Sequence, residues 1–440
     1  MKLSIYTLLF EKNDKHYLYN SESEFLSVIP EWAYEKLYDG AFDELPNDFV
    51  DILKKRKIII DEEHLYDYYD LCKLNFLSDI GVTDTLGLVI APTSGCNFAC
   101  PYCFEGEKKT KIITDDVIES LIRFINGYSS VKKLDLTWYG GEPLMAFNKI
   151  KQIIYKIKKE CHVEINSQSI ITNAYLLSDK VIKEMIDLGV NQIQISFDGD
   201  EDSHNKTRFL KTNKGKTFAK IIANLDNLVD LVPDDFKINL RINVNKENEK
   251  EFAILYNKFI KRYGAKKIVP YPGFIRETSN DGCRMCYKSL FNLRRYKFYK
   301  EIAEYGIPVD FFPHVELQKG CMVNRNNSFI IGPSGEMYKC WNDFNKPDKI
   351  IGNIKDEKLS NSSLICKYLY DTSIYNNAKC KDCMLFPVCD GGCQWLTYKN
   401  IFEDKHYNTC PFIKNQHVLE ECLLANKGNQ VEASHKISAI

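Results

Sequence analysis

From residue 87 onward the chain alternates short apolar runs with amphipathic stretches of helical period. "TDDVIESLIRFI" sets Val117, Ile118, Leu121, Ile122 and Ile125 on one face, and the stretch after "KLDLTWYGGEP" repeats isoleucine at 150, 153, 154 and 157. "SDKVIKEMIDLG" offers Ser178 as an N-cap and Gly189 just past its end. The runs "GLVIAPT", "KLDLTWYGGEP", "SQSIITNA", "NQIQISFDGD", "KINLRINV" and "KKIVPYPGF" read as six strands, with further helices near 215–231 and 248–263. Strand and helix in strict alternation predict parallel strands joined by right-handed crossovers, a partial (β/α)6 barrel of the α/β class. Ligand sites of such barrels lie at the carboxyl ends of the strands. "SGCNFACPYCF", "YGGEP", "TNA" and "SFDGD" all fall there.

The first 85 residues read differently. "KLSIYTLLFEKNDKHYLYN" predicts two strands around a turn at Asn13-Asp14, "PEWAYEKLYDG" and "PNDFVDILKKRK" predict short helices with Pro near their starts, and "KIIID" returns as a strand. The expectation is a winged-helix-like module over 1–85 or, in its plainer form, a cap on the next domain. The barrel is expected over 87–306. From 307 to 422 periodicity fades and cysteines, glycines and turn residues take over, as in a domain organised by metal more than by an apolar core. Residues 423–440, "LLANKGNQVEASHKISAI", are expected to form a disordered tail.

Composition then narrows the class. The 440 residues carry a formal net charge of −1, which gives no reason to expect nucleic acid or an acidic membrane surface as partner. No apolar run is long enough for a membrane helix, and the opening reads as a strand instead of a signal peptide, so a cytoplasmic protein is expected. The 16 cysteines change the picture, because three lie at 96–103 and eight between 321 and 410. That clustering in a reducing compartment points to metal or iron–sulfur ligation instead of disulfides.

Cys96, Cys100 and Cys103 offer three thiolates and no fourth nearby. A structural zinc site takes four ligands. Three thiolates leave one corner of an iron–sulfur cubane open to a substrate. A C-x3-C-x2-C loop directly after the first strand of a βα barrel resembles the radical S-adenosylmethionine (SAM) superfamily. Tyr102 stands at that family's adenine-proximal aromatic position. "YGGEP" resembles its motif for the SAM amino group, with Gly140, Gly141 and Glu142, and "SFDG" its fourth-strand motif, with Ser196. Asn173 and Arg208 are further candidates for SAM or substrate; Ala174 stands where the family more often has Gly. The resemblance implies a [4Fe–4S] cluster that, with SAM, yields a 5′-deoxyadenosyl radical able to take a hydrogen atom from substrate.

The later cysteines resemble the seven-cysteine SPASM domain: Cys321-x13-Gly335-x4-Cys340, Cys380-x2-Cys383-x5-Cys389-x3-Cys393, then Cys410. That implies two auxiliary [4Fe–4S] clusters, three in all. Cys321, Cys340 and Cys393 would hold the first, and Cys380, Cys383, Cys389 and Cys410 the second. A zinc-ribbon assignment of the same thiols is the alternative. Cys283, Cys286 and Cys366 are candidates for a fourth ligand of the first auxiliary cluster; Cys72, Cys161 and Cys422 read as buried or incidental.

SPASM proteins mostly modify peptides, and the N-terminal module resembles the leader-binding element of maturases for ribosomally made peptides. The expected partners are a precursor peptide with a leader, bound by strand addition, and an external low-potential electron donor. The expected reaction is an intramolecular crosslink from an aliphatic carbon to an aromatic side chain, through carbon or oxygen. Alternatives are thioether formation, anaerobic sulfatase maturation and a non-catalytic iron–sulfur peptide-binding protein. Sulfatase maturases carry Asp immediately after the second SPASM cysteine, whereas here Trp341 follows Cys340, with Asp343 close by.

Overall fold

The computed structural model describes residues 1–61, 67–81, 84–105, 110–276, 285–287, 293–315, 321–356 and 359–425. The chain opens with β1 (Lys2–Leu3) and an antiparallel sheet of β2 (Thr7–Lys12), β3 (Lys15–Asn20) and β4 (Phe25–Ile29). Asn13 and Asp14, both at positive φ, form the two-residue turn between β2 and β3, the geometry that matches the twist of a hairpin. Helices α1 (Glu31–Asp39) and α2 (Asn47–Lys55) follow Pro30 and Pro46 directly. Then β5 (Ile59–Ile60) pairs with β1, and α3 (Tyr68–Gly81) completes the segment. Strand β4 and helix α3 were not anticipated by the sequence pattern.

The six expected barrel strands are all present: β6 (Thr85–Thr93), β7 (Lys133–Gly140), β8 (Glu164–Thr172), β9 (Gln192–Phe197), β10 (Lys237–Val244) and β11 (Ile268–Phe274). They pair in parallel, each with its sequence neighbours. Between them run α4 (Asp115–Asn126), α5 (Phe147–Glu160), α6 (Asp179–Leu188), α7 (Glu201–Thr207), α8 (Phe218–Leu231) and α9 (Glu251–Tyr263). The predicted stripe of α5 is fully buried at Ile150, Ile153, Ile154 and Ile157, each worth roughly 2 kcal/mol of apolar burial. Ser178 caps α6 by accepting from the Val181 N–H, and Gly189 ends it in the left-handed conformation.

Beyond the barrel come α10 (Leu293–Glu304), β12 (Ser328–Ile331), β13 (Glu336–Tyr338), β14 (Gly352–Asn353), α11 (Ser362–Cys366), α12 (Ala378–Lys381), α13 (Gln394–Phe402) and α14 (Gln416–Ala425). Strand β12 pairs in parallel with β6, and β13 and β14 continue antiparallel, so the barrel sheet gains three strands. Residues 423–425 of the expected tail belong to α14, where Leu423 is buried; 426–440 lie outside the described residues.

Compactness groups the chain into two units that cut across sequence order. One comprises residues 82–290 and 322–369; the other comprises 1–81, 291–321 and 370–440. In the second, Phe10, Tyr17 and Tyr19 share a core with Phe312, Leu385, Val388, Ile413, Leu419 and Leu423. The N-terminal segment therefore does not stand apart. The cysteine-rich end, expected to be poor in apolar core, completes one by borrowing those N-terminal aromatics.

Candidate active site

At the carboxyl end of the barrel the loop after β6 carries Cys96, Cys100 and Cys103, all partly buried and electrostatically coupled around Cys100. Backbone and side chain both shape it. The Phe98 N–H points at the Cys96 sulfur (3.4 Å), and Asn173 Nδ2 donates to Asn97 Oδ1 (2.7 Å) while lying 4.0 Å from that sulfur. Burial pushes the Cys100 thiol up to about 11, with Arg208 pulling the other way. Iron ligation reverses that cost by supplying positive charge.

The Gly140-Gly141-Glu142 turn closes over this loop. Gly141 N–H donates to Thr93 O (3.2 Å) and Glu142 N–H to Gly95 O (2.8 Å). A Cβ on Gly141 would collide with the Gly95 carbonyl and stand 2.7 Å from that of Ser94; one on Gly140, at φ +114°, would collide with Thr93 O. Only glycine permits this approach. The Glu142 side chain is 1% exposed and accepts from Thr172 Oγ1 (2.6 Å), the Asn173 N–H (2.7 Å) and the Leu144 N–H (3.0 Å). Burial raises its pKa against those donors, so the pocket favours a cation beside the carboxylate.

A second network joins three strand ends. Tyr102 OH donates to Asp198 Oδ2 (2.5 Å) and receives Arg208 Nη1 (3.2 Å) and Asn243 Nδ2 (3.3 Å). Asp198 also accepts from Thr207 Oγ1 (2.7 Å) and Asn243 Nδ2 (2.8 Å), with Arg208 Nη1 at 3.9 Å. Burial and the Asp198 charge push the Tyr102 phenol well up, so it remains a donor. His204, held neutral by burial, accepts the Asp198 N–H on Nδ1 (3.4 Å). Among the described residues, Arg208 Nε and Asn97 Nδ2 are buried donors at this end with no protein partner. With a buried carboxylate, glycines pressed against a cysteine loop and orphaned donors, these residues fit SAM and the cluster that binds it.

Of the expected residues, Tyr102, Gly140, Gly141, Glu142, Asn173 and Arg208 join this arrangement. Ser196 lies half-buried on the concave face, and its side chain makes no protein hydrogen bond among the described residues. Asp198, Thr172 and Asn243 were missed, although the first two stand within "SFDG" and "ITNA".

The later cysteines fall in both units. Cys380, Cys383, Cys389 and Cys410 form one neighbourhood: Cys380 senses Cys383 and Cys410, and Cys389 senses Cys380 and Cys383. Lys414 Nζ reaches the Cys383 sulfur (3.1 Å). Cys340 is buried at the end of β13, with Asn342 Nδ2 3.7 Å from its sulfur, whereas Cys321 and Cys393 belong to the other unit. Among the described residues no three His, Cys, Asp or Glu side chains converge tightly enough to hold a single ion. Cys366 is exposed, Cys72 and Cys422 are buried, Cys161 is half-buried, Cys286 is buried and Cys283 lies outside the described residues. Trp341 stands edge-on to Tyr139 (4.8 Å between centroids, 87°), and Asp343 is buried, accepting Tyr368 OH (2.6 Å).

Residues 90–259, the stretch that carries the cysteine loop, the glycine turn and the Tyr102–Asp198 network, match the model of the Radical SAM superfamily. The chain's relatives include sulfatase-maturating enzymes and GTP 3',8-cyclases. A cysteine-type anaerobic sulfatase-maturating enzyme of Clostridium novyi is 26% identical over 70% of this chain and 88% of its own. The radical SAM cyclopropyl synthase TigE of Paramaledivibacter caminithermalis is 24% identical over 79% of this chain and 76% of its own. The structure of Streptococcus suis SuiB bound to its precursor peptide SuiA matches the fold at TM-score 0.52 and 16% identity, across 93% of this chain and 98% of that one.

Proposed function

We propose that this enzyme is a peptide maturase that crosslinks a ribosomally made precursor, joining an aliphatic carbon to an aromatic side chain. The observation that carries this choice among peptide reactions is Trp341. It packs on Tyr139 where the sulfatase-maturase pattern places a carboxylate, and the nearby Asp343 is buried and already bonded to Tyr368. Structures of similar fold support a peptide substrate, since SuiB was captured with its precursor peptide SuiA and anSMEcpe with a peptide beside AdoMet.

When bound, the cluster and SAM supply a 5′-deoxyadenosyl radical that abstracts a substrate hydrogen atom. Cys96, Cys100 and Cys103 would hold that cluster. Glu142 would bind the cofactor's ammonium, the Gly140-Gly141 turn would let backbone approach it, and Tyr102 and Arg208, braced by Asp198, would help to hold it. In this reading Cys380, Cys383, Cys389 and Cys410 hold one auxiliary cluster, Cys321, Cys340 and Cys393 a second, and an external donor supplies electrons. The 1–85 segment offers two leader-binding surfaces: the outer edge of β4, unpaired among the described residues, and the exposed stripe Leu71, Leu74 and Leu77 on α3.

Sulfatase maturation is the second reading, favoured by the Clostridium novyi relative. Co-expression with the short reading frames beside the gene, followed by mass spectrometry, decides. Loss of two hydrogens per crosslink supports the proposal. An unmodified precursor together with oxidation of Cys or Ser in a sulfatase-derived peptide overturns it. If anaerobic reduction with dithionite and SAM yields no 5′-deoxyadenosine, both readings fail.

A further inference from the structure

Strand β10 buries Ile238, Leu240 and Ile242 on its outer face, which sends Arg241 and Asn243 to the concave face. Parallel register sets Arg241 beside Ser196 on β9 and Tyr271 on β11. It therefore stands in the layer of the expected SAM contact, yet no part of the cofactor reading employs it.

Three observations describe its state. Its Nε donates to Asn243 Oδ1 (3.0 Å), and Asn243 is itself held by Asp198 and Tyr102, so the guanidinium plane is fixed from the cofactor side. Gly273 on β11 supplies the lane in which the side chain lies, since a Cβ there would collide with Arg241 Nε and stand 2.9 Å from its Cγ. No carboxylate among the described residues pairs with it, although Arg208 in the adjoining network has Asp198. A half-buried guanidinium with its Nε satisfied and its two terminal nitrogens without protein partners among the described residues is a fork set for a bidentate anion. Tyr271, whose hydroxyl is turned away to Gln194 Oε1 (2.6 Å), leaves a flat apolar wall beside it.

We propose that Arg241 is a specificity-determining residue that binds a carboxylate of the substrate peptide, an Asp or Glu side chain near the carbon presented to the cofactor. The inference rests on the peptide reading above and adds the substrate's chemistry. It predicts an acidic residue close in sequence to the modified position.

The test uses anaerobic holoenzyme loaded with SAM and a library of acetylated hexapeptides in which one position is fixed as Asp, Glu, Asn, Gln or Lys. Retained peptides are read by mass spectrometry, and SAM affinity is measured in parallel by equilibrium dialysis. Wild type is expected to enrich Asp or Glu over the isosteric amides about tenfold, the scale of a charge-assisted hydrogen-bond pair. R241M should abolish that enrichment, R241E should turn it toward Lys, and both should keep SAM affinity within about twofold. Acidic preference that survives in R241M overturns the inference. So does a tenfold loss of SAM affinity in R241M with peptide preference unchanged, which would assign the guanidinium to the cofactor's own carboxylate. Peptides retained by wild type without acidic preference sink this inference alone; retention of no peptide at all sinks the peptide reading as well.

Discussion

The cofactor end of the barrel and the Cys380–Cys410 neighbourhood both gather thiols, but they are built in opposite ways. Around Cys96, Cys100 and Cys103 the frame is complete in protein atoms alone: parallel strands, glycines pressed against carbonyls, and a carboxylate with three donors. Around Cys380, Cys383, Cys389 and Cys410 the frame is short. Helix α12 has four residues, and the neighbouring cores draw on Tyr69 and Cys72 of the N-terminal segment. One region shapes a place for a cofactor in protein atoms; on the proposed reading the other would gain much of its order from what its thiols hold.

The sharpest break of that contrast is Gly141→Ala. The added methyl meets backbone carbonyls that cannot swing aside, so 5′-deoxyadenosine formation should fall by more than a hundredfold while the far-ultraviolet spectrum stays unchanged. Chelating all iron is the complementary break. Hydrogen exchange should then rise steeply across 378–393 and stay low in β6 to β10; equal loss in both regions would refute the contrast. Glu142→Gln should weaken SAM binding at least about tenfold, measured by equilibrium dialysis, because the charge leaves and one of the two oxygens, each of which accepts a backbone N–H, becomes an amide NH2.

The smallest effect lies on the surface of the second unit. His314 bonds to Glu24 and Asp310, which raise its pKa above the ordinary 6.5, Glu24 foremost. A raised folded value means the contribution is full below about pH 6.5 and fades as pH rises through the higher folded value. The ring is half exposed, so screening leaves a few tenths of a kcal/mol. Denaturation of wild type and His314→Gln should differ at pH 6 and converge by pH 9.

What the sequence disclosed follows the same division. Tyr102, Gly140, Gly141 and Glu142 were legible because each motif is continuous in the chain and closes a strand. Arg241, Asn243 and Thr172 were not, because their roles depend on which residue the neighbouring strand sets beside them. Helix α3 escaped because exposed Leu71, Leu74 and Leu77 alternate with buried Tyr69, Cys72 and Ile80, which blurs the helical period. The core shared by Tyr17 and Leu419 joins positions far apart in the chain, and no local pattern announces it.

The pairing of β12 with β6 settles a length. Tyr338, the last residue of β13, lies opposite Ile330 on β12, which itself lies beside Val89 on β6, so two spacings of about 4.8 Å, roughly 10 Å, separate the barrel's first strand from the strand that leads into Cys340. That separation is ruled by main-chain hydrogen bonds and is as constant as the pleat itself.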